Sequence, residues 1–285
     1  MSGIVWLASY PKSGNTWLRL LLRQIRNNDR GPVLLNAVDD SLIVSRRETF
    51  ERVTGLVSSE LRREELDLLR PRVLWTTARQ SPGTLYLKVH DRFESPALGT
   101  AVLPADVPQI AIYIVRDPRD VCVSFAHHLG LGIEQTLSRM VNDRLHLSGG
   151  AVPHVDQFPQ WLGRWDLHVR SWVDQSSVKV EVLRYEDMLA DPMDSVGRVL
   201  RAIGLAPEPG VVARAVEQCA FARLAESEQR TGFAERPAQS VRFFRSGKAG
   251  GWRDALTPDQ ADRVVSEFGD VMRRFGYLEG ELDAH

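Results

Sequence analysis

The stretch Ile4 to Leu22, IVWLASYPKSGNTWLRLLL, constrains this chain more than any other. Ile4-Val5-Trp6-Leu7-Ala8 is an apolar run short enough for a buried parallel strand. Pro11 breaks it, Lys12-Ser13-Gly14-Asn15-Thr16 follow, and an amphipathic run extends from Trp17 to Ile25. In that run Trp17, Leu18, Leu21, Leu22 and Ile25 recur at helical spacing, with Arg19, Arg23 and Arg26 between and beyond them. Strand, tight glycine loop and helix together make a cradle for an anion. The first helical N–H groups point at the loop, and the helix dipole adds partial positive charge there. Lys12 contributes a full charge. The loop is not the nucleotide-kinase form G-x-x-x-x-G-K-[ST], because its lysine precedes its single glycine. By itself it reads equally well as an ordinary strand, turn and helix with a surface lysine, so the remainder of the chain has to decide.

Three further runs read as strands, and each ends in a polar cluster. Thr84 to His90 places Lys88 and His90 two apart, on one face at the carboxyl end of the run. Open α/β sheets bind ligands beyond that end. A cation beside an imidazole, which titrates near neutral pH, suits polarising an anion while taking a proton; alone, the pair reads as surface residues. Ile110 to Val115 runs into Arg116-Asp117-Pro118-Arg119-Asp120 and a helix from Val121 to His128, with Asp117 as cap and Pro118 in the first turn. Arg116 and Ser124 either converge on a second phosphate or leave Arg116 in an ion pair with Asp117 or Asp120. Val178 to Leu183 ends in Arg184-Tyr185-Glu186-Asp187.

Between these strands the pattern predicts helices over Asp39–Leu56 and Ser58–Leu69, the second capped by Ser58 or Ser59 and ended by Pro71. Further helices are expected within Gly130–Gly150 and over Asp191–Ile203, Pro209–Cys219 and Phe221–Gln229. A last one is capped by Thr257 and runs to about Phe275. Trp161, Trp165, Trp172 and His168 read as core, and His127 and His128 as packing or solvated groups. Thr231–Phe244 has no period and reads as a loop. Arg245–Arg253, with three glycines and three cations, suits a phosphate or a plain linker. No repeat or linker interrupts the chain, so a single domain over 1–285 is expected.

Composition narrows the function. The balance of 36 basic against 37 acidic residues provides no global field for nucleic acid or anionic lipid. Only Lys12, Lys88, Lys179 and Lys248 are lysines, so those retained beside glycine loops and strand ends stand out, because ammonium and guanidinium are not interchangeable. Cys122 and Cys219 lack disulfide or metal-ligand spacing and are expected to be buried apolar groups. Neither a signal-peptide pattern nor a membrane-spanning run is present, and the expectation is a soluble cytoplasmic protein without nucleic-acid or membrane partners.

Four stretches, in order, resemble the sulfotransferase family that uses 3′-phosphoadenosine-5′-phosphosulfate (PAPS). YPKSGNTW resembles its 5′-phosphosulfate loop, LKVH its strand-end Lys-x-His, YIVRDPRDVCVSF its 3′-phosphate motif, and RSGKAGGW its C-terminal glycine motif. The resemblance implies an α/β fold with a P-loop-NTPase-like core of parallel strands flanked by helices. Insertions at about 30–83, 128–157 and 229–242 would cover the acceptor. It also implies that Lys12, Ser13, Gly14, Asn15 and Thr16 hold the phosphosulfate, that Trp17 stacks on adenine and that Tyr185 contacts the nucleoside. Arg116, Ser124, Arg245, Ser246 and Gly247 would lie at the 3′-phosphate. The chain departs from the family pattern at Ser246, where a second basic residue is usual, and at Gly251, where the family has Asp. The usual dimerisation pattern is degraded to Arg253…Thr257-Pro258…Asp262, which leaves monomer and homodimer open.

The expected reaction is sulfuryl transfer from PAPS to a hydroxyl of a small molecule, a phenol or alcohol, releasing PAP. His90 would be the base, Lys12 and Lys88 would stabilise charge, and no metal is implied. The rival readings are a P-loop small-molecule kinase and a non-catalytic nucleotide-binding protein.

Overall fold

A computed structural model describes residues 3–28, 31–37, 43–95, 99–101, 103–104, 106–147, 157–174, 177–208, 210–237 and 239–278. Its strands are β1 (Ile4–Ser9), β2 (Leu85–Val89), β3 (Glu94–Ser95), β4 (Thr100–Ala101), β5 (Gln109–Val115), β6 (His146–Leu147), β7 (Gln160–Trp161) and β8 (Lys179–Arg184). The four long ones form a parallel sheet in the order β2-β1-β5-β8, with β1 and β2 in register from Ile4 opposite Leu85 to Ala8 opposite Val89. β3–β4 and β6–β7 are short antiparallel pairs. All six residues of β1 and the last five of β5 are buried, as unbroken apolar runs in a parallel sheet should be.

The helices are α1 (Asn15–Asn27), α2 (Arg47–Thr54), α3 (Arg63–Gln80), α4 (Pro118–Leu129), α5 (Ile133–Met140), α6 (Trp165–Val173), α7 (Tyr185–Ala190), α8 (Pro192–Ile203), α9 (Val211–Gln218), α10 (Phe221–Thr231) and α11 (Pro258–Arg274). The chain forms two compact units. The first comprises Met1–Tyr10, Asp40–Tyr113 and Asn142–Val182, and the second Pro11–Asp39, Ile114–Val141 and Leu183–His285.

In the first unit Trp6 of β1 is completely buried, and so are Trp165 and Trp172, as expected of core tryptophans; Trp161, expected with them, is half-buried. A smaller cluster of Phe50, Leu66, Val73 and Phe158 fills the space between α2 and α3; burying each is worth about 1.5–3 kcal/mol. In the second unit Leu18, Leu21 and Ile25 of α1, Phe125 of α4 and Phe268 of α11 are buried. Cys122 and Cys219 are buried there too, and burial pushes both thiols up to about 12. The expected caps form: Asp117 accepts from the Arg119 N–H behind Pro118, and Thr257 from the Gln260 N–H behind Pro258. No helix among the described residues is long and apolar enough to cross a membrane.

Several sequence expectations are corrected. Pro71 does not end a helix; α3 continues through it to Gln80. Proline inside a helix costs about 3 kcal/mol. Burial of Val73, Leu74 and Ala78 beyond it, and the ion pairs of Arg70 just before it, offset that cost. Nor is α3 capped by Ser58 or Ser59: Glu65 reaches back to the Arg62 N–H, while Ser58 bonds Glu51. The helix expected over Asp39–Leu56 is only α2. Asp39 and Asp40 lie outside the described residues, and Val44 donates to the Lys88 carbonyl at 3.2 Å, so Ile43–Val44 joins the open edge of β2. Within Gly130–Gly150 the helix is the short α5, and β6 follows it.

Candidate active site

The anticipated site residues divide between the two units. In the second, Lys12 takes φ 70° and Gly14 φ 103°. The left-handed region is unfavourable for a residue with a side chain, by roughly 1–3 kcal/mol, and persists where the surroundings demand it. Gly14 is required for a second reason. A Cβ there would stand 2.7 Å from Cδ2 of Tyr185. Gly14 is also the N-cap of α1, so it offers no side chain to the first-turn N–H groups, and that turn holds no acidic residue. The positive end of the helix therefore meets the loop without a carboxylate of its own. Ser13 is buried, and its Oγ has no partner among the described residues. Buried hydroxyls are rarely left so, and a ligand group at the loop would satisfy it.

The rest of the loop has partners from distant segments. The Lys12 ammonium lies over the Phe243 ring, 4.4 Å from its centre. Trp17 donates from Nε1 to the Cys219 carbonyl at 2.9 Å and meets Tyr185 edge-on at 6.3 Å. Asn15 and Thr16 are buried, and Thr16 Oγ1 donates to Glu235 at 3.3 Å. The buried Arg19 pairs with the same carboxylate. Glu235 is absent from the sequence reading, and nothing in its irregular loop marks it.

Arg116, directly after β5, donates to the carbonyls of Lys12 at 3.0 Å and Lys248 at 3.2 Å, and stacks 4.2 Å above the Tyr185 ring. Its buried Nε has no partner among the described residues. Of the alternative partners, Asp117 pairs instead with Arg119 at 2.7 Å, and Asp120 reaches only 4.0 Å. Asp120 has another task, accepting the N–H groups of Gly250 and Trp252 at 2.7 and 2.9 Å. It thereby holds the C-terminal glycine loop at the point where Gly251 replaces the family aspartate. Gly247 takes φ 59°, and a Cβ on it would come within 2.3 Å of Phe221. Burial pushes the Tyr185 hydroxyl up although Arg116 pulls it down, so the ring stays neutral beneath the guanidinium. Lys12 through Trp17, Arg116, Tyr185 and Lys248 are thus brought together. Ser124 and Ser246 are half-buried and Arg245 is exposed; none shares a hydrogen bond with Arg116 among the described residues.

In the first unit Lys88 is half-buried near the end of β2, and His90 lies just beyond it, 7% exposed. His90 Nδ1 is 2.7 Å from the Ser9 carbonyl and 3.4 Å from Ser9 Oγ. A carbonyl only accepts, so Nδ1 carries the proton and Nε2 keeps its lone pair. The His90 carbonyl in turn accepts from His168 Nε2 at 2.9 Å, and His168 Nδ1 takes the Tyr113 hydroxyl at 2.9 Å. Burial holds His168 down to about 4, which makes it the neutral core histidine expected from the sequence.

Beneath His90 lies a group the sequence reading missed. Asp91 is buried and receives two prongs of Arg70, at 3.1 and 2.7 Å, together with the Trp161 N–H at 2.9 Å. Its carbonyl accepts from Trp172 Nε1 at 2.9 Å. Arg70 also reaches Asp67, which accepts from Ser95 and Arg63. Burial works against both charges of the central pair. Each outweighs that penalty for the other, holding Asp91 below and Arg70 above its ordinary range. The adjacency of Asp91 to His90 was the only sequence signal.

No cluster of three or more His, Cys, Asp or Glu able to hold a metal occurs among the described residues. The residues present do fit an anionic donor: the glycine cradle, the lone Ser13 hydroxyl and Arg116 all address negative charge.

Comparison with known proteins agrees with this geometry. The sequence profile of the sulfotransferase domain matches residues 3–276. A flavonol 3-sulfotransferase of Flaveria bidentis is 26% identical over 91% of this chain and 78% of its own length. Cytosolic sulfotransferase 17 of Arabidopsis thaliana is 26% identical over 97% of this chain and 76% of its own. Among solved structures, mouse sulfotransferase SULT7A1 complexed with PAP superposes with a TM-score of 0.61 at 21% identity, over 95% of this chain and 85% of that one, so the fold is shared. The chain belongs to the sulfotransferase domain family and is, by that membership, a sulfuryl-transferring enzyme.

Proposed function

We propose that the donor is PAPS, the acceptor a hydroxyl of a small molecule, and His90 the general base. The observation that carries this reading is the 2.7 Å bond from His90 Nδ1 to the Ser9 carbonyl, which leaves Nε2 as the proton acceptor at a strand's carboxyl end. The acceptor oxygen attacks sulfur as its proton passes to Nε2. The new O–S bond forms while the bond from sulfur to the bridging phosphate oxygen breaks, and that electron pair leaves on PAP. Lys12 and Lys88 stabilise the charge on the transferring group and the bridging oxygen, as preorganised cations do in phosphoryl transfer.

Ser13, Gly14, Asn15, Thr16 and Trp17 hold the phosphosulfate end and the adenine, Tyr185 contacts the nucleoside, and Arg116 binds the 3′-phosphate, with Ser124, Arg245, Ser246 and Gly247 around it. The likeness to a flavonol sulfotransferase supports a phenol or an alcohol as acceptor, and the cytosolic relatives support a cytoplasmic enzyme. The test is transfer of labelled sulfuryl from PAPS to a panel of phenols, alcohols, amines and sugars. Transfer to hydroxyls is expected; transfer to amines alone, or to nothing, would overturn the reading.

A further inference from the structure

The buried charges under His90 ask for an explanation. Arg70, Asp67 and Asp91 are each 1–2% exposed. Exchanging a buried ion pair for apolar residues of similar volume is often neutral or stabilising, so stability alone gives no reason to keep full charges there. What apolar residues cannot supply is direction. The Arg70 fork meets both oxygens of Asp91, at 3.1 and 2.7 Å, and this planar two-point contact fixes the carboxylate's orientation as well as its position. Asp91 is the residue after His90. Its side chain is held by Arg70 and the Trp161 N–H, and its carbonyl by Trp172. Arg70 is itself anchored by Asp67, and Asp67 by Arg63 and Ser95. All of these residues belong to one compact unit. The bond from Nδ1 to the Ser9 carbonyl sets the His90 tautomer, and its direction depends on where the backbone at 90–91 places the imidazole.

We propose that Arg70 is a positioning residue for His90: its two-point pair with Asp91 fixes the backbone at 90–91, so that Nδ1 keeps its bond to the Ser9 carbonyl and Nε2 faces the acceptor. This rests on the reading of His90 as base. In this role Arg70 acts on His90 through Asp91, not on the reacting atoms.

The test compares three proteins, Arg70→Met/Asp91→Asn, His90→Asn and the triple combination, with the wild type. The double change removes both charges together, because Arg70→Met alone would strand a buried carboxylate and threaten folding. Asparagine can still accept the Trp161 N–H. Thermal unfolding and PAP affinity, the latter by calorimetry, are expected to stay near wild type. Turnover on an aliphatic alcohol is expected to fall about tenfold, part of the about 10²–10⁴-fold that a general base supplies. On an acidic phenol such as p-nitrophenol, which scarcely needs a base, the loss should stay within about twofold. In the His90→Asn background the double change should have no further effect, as expected for residues that act as one unit.

An equal loss on alcohol and phenol would overturn the proposal, as would a loss that persists in the His90→Asn background or an unchanged rate on alcohols. Failure of the base reading has a different signature, since His90→Asn would then itself keep wild-type turnover. If the double variant does not fold, Arg70→Lys takes its place. It keeps the charge and loses the two-point contact, and the same alcohol-against-phenol contrast decides.

Discussion

In the second unit the cations of the donor loop rest mainly on neutral partners, whereas in the first unit the cations beneath His90 rest on carboxylates. Lys12 lies on an aromatic face, and Arg116 on two carbonyls and a phenol ring. Arg63 and Arg70 meet Asp67 and Asp91. The difference follows from what each region has to do. A cation resting on a carbonyl or a ring is readily surrendered to an anion, because a charged oxygen makes roughly twice as strong a hydrogen bond. A buried cation paired with a carboxylate has no such alternative, and breaking it strands a charge. On the proposed function, one region keeps its positive field available for a multiply charged donor, and the other neutralises its field around His90, the proposed base, which would meet an uncharged hydroxyl. Among the described residues Arg19, closely paired with Glu235, breaks the pattern on the donor side.

The sharpest way to separate the regions is to remove the proposed base and leave the glycine loop whole. His90→Asn should lower turnover on an aliphatic alcohol by about 10²–10⁴-fold while PAP affinity stays within about twofold. The wild-type kcat/KM should decline on the acid side as His90 takes a proton, and the variant should lack that limb. Steady-state rates across pH with calorimetry of PAP check both; a variant that loses PAP affinity and turnover together would merge the regions.

The converse change acts on the donor alone. Arg116→Ala should weaken PAP at least about tenfold, since charge-assisted bonds are worth about 1.5–3 kcal/mol each, and should leave AMP nearly unaffected. The ratio of PAP to AMP affinity is the quantity to measure. An unchanged ratio would place the 3′-phosphate elsewhere.

How much of this was legible depended on range. The strand, loop and helix of Ile4–Ile25 stand where the sequence places them, because an apolar run, a glycine that must take φ 103° and a helical stripe act within a few residues. The same holds for the caps at Asp117 and Thr257, and for Lys88 and His90, two apart at the end of β2. The helix through Pro71 was illegible, because its local cost is offset by burial and by an ion pair 21 residues away at Asp91. Glu235 was illegible for the same reason in stronger form, its partner Arg19 lying 216 residues off. Ile43–Val44 read as helix because nothing local announces that the open edge of β2 will claim the Val44 N–H. The segments expected over the acceptor carry most of these errors, and there tertiary pairing outweighs local propensity.

A smaller effect should appear in the acid stability of the first unit. Arg70 outweighs burial and holds Asp91 below the ordinary carboxylate range. A depressed folded value contributes stability that is full above the unfolded value, about 3.9, and is lost as pH falls through the folded one. The wild-type melting temperature should therefore fall more steeply below about pH 4 than that of Arg70→Met/Asp91→Asn, which carries no such linkage. Parallel curves would show that Asp91 is not held below its unfolded value.

The smallest expected effect probes the exception on the donor side. Glu235 brings a carboxylate to Thr16 and Arg19, inside a loop whose other features favour an anion. Glutamine at that position can still accept from Arg19 through its one oxygen and donate from its NH2 to the Thr16 hydroxyl, but carries no charge to oppose the donor. One unit charge about 4 Å away, screened as in water, is worth about 1 kcal/mol. Glu235→Gln should therefore tighten PAP about fivefold, and the gain should shrink with added salt as the screening length falls. Adenosine, which carries no phosphate, should bind both proteins alike, so that a general repacking of the loop is distinguished from a change in field. If PAP binds the variant no more tightly than the wild type, the carboxylate only anchors Arg19, and the contrast between a donor region built on neutral partners and a base region built on charged ones has to be redrawn.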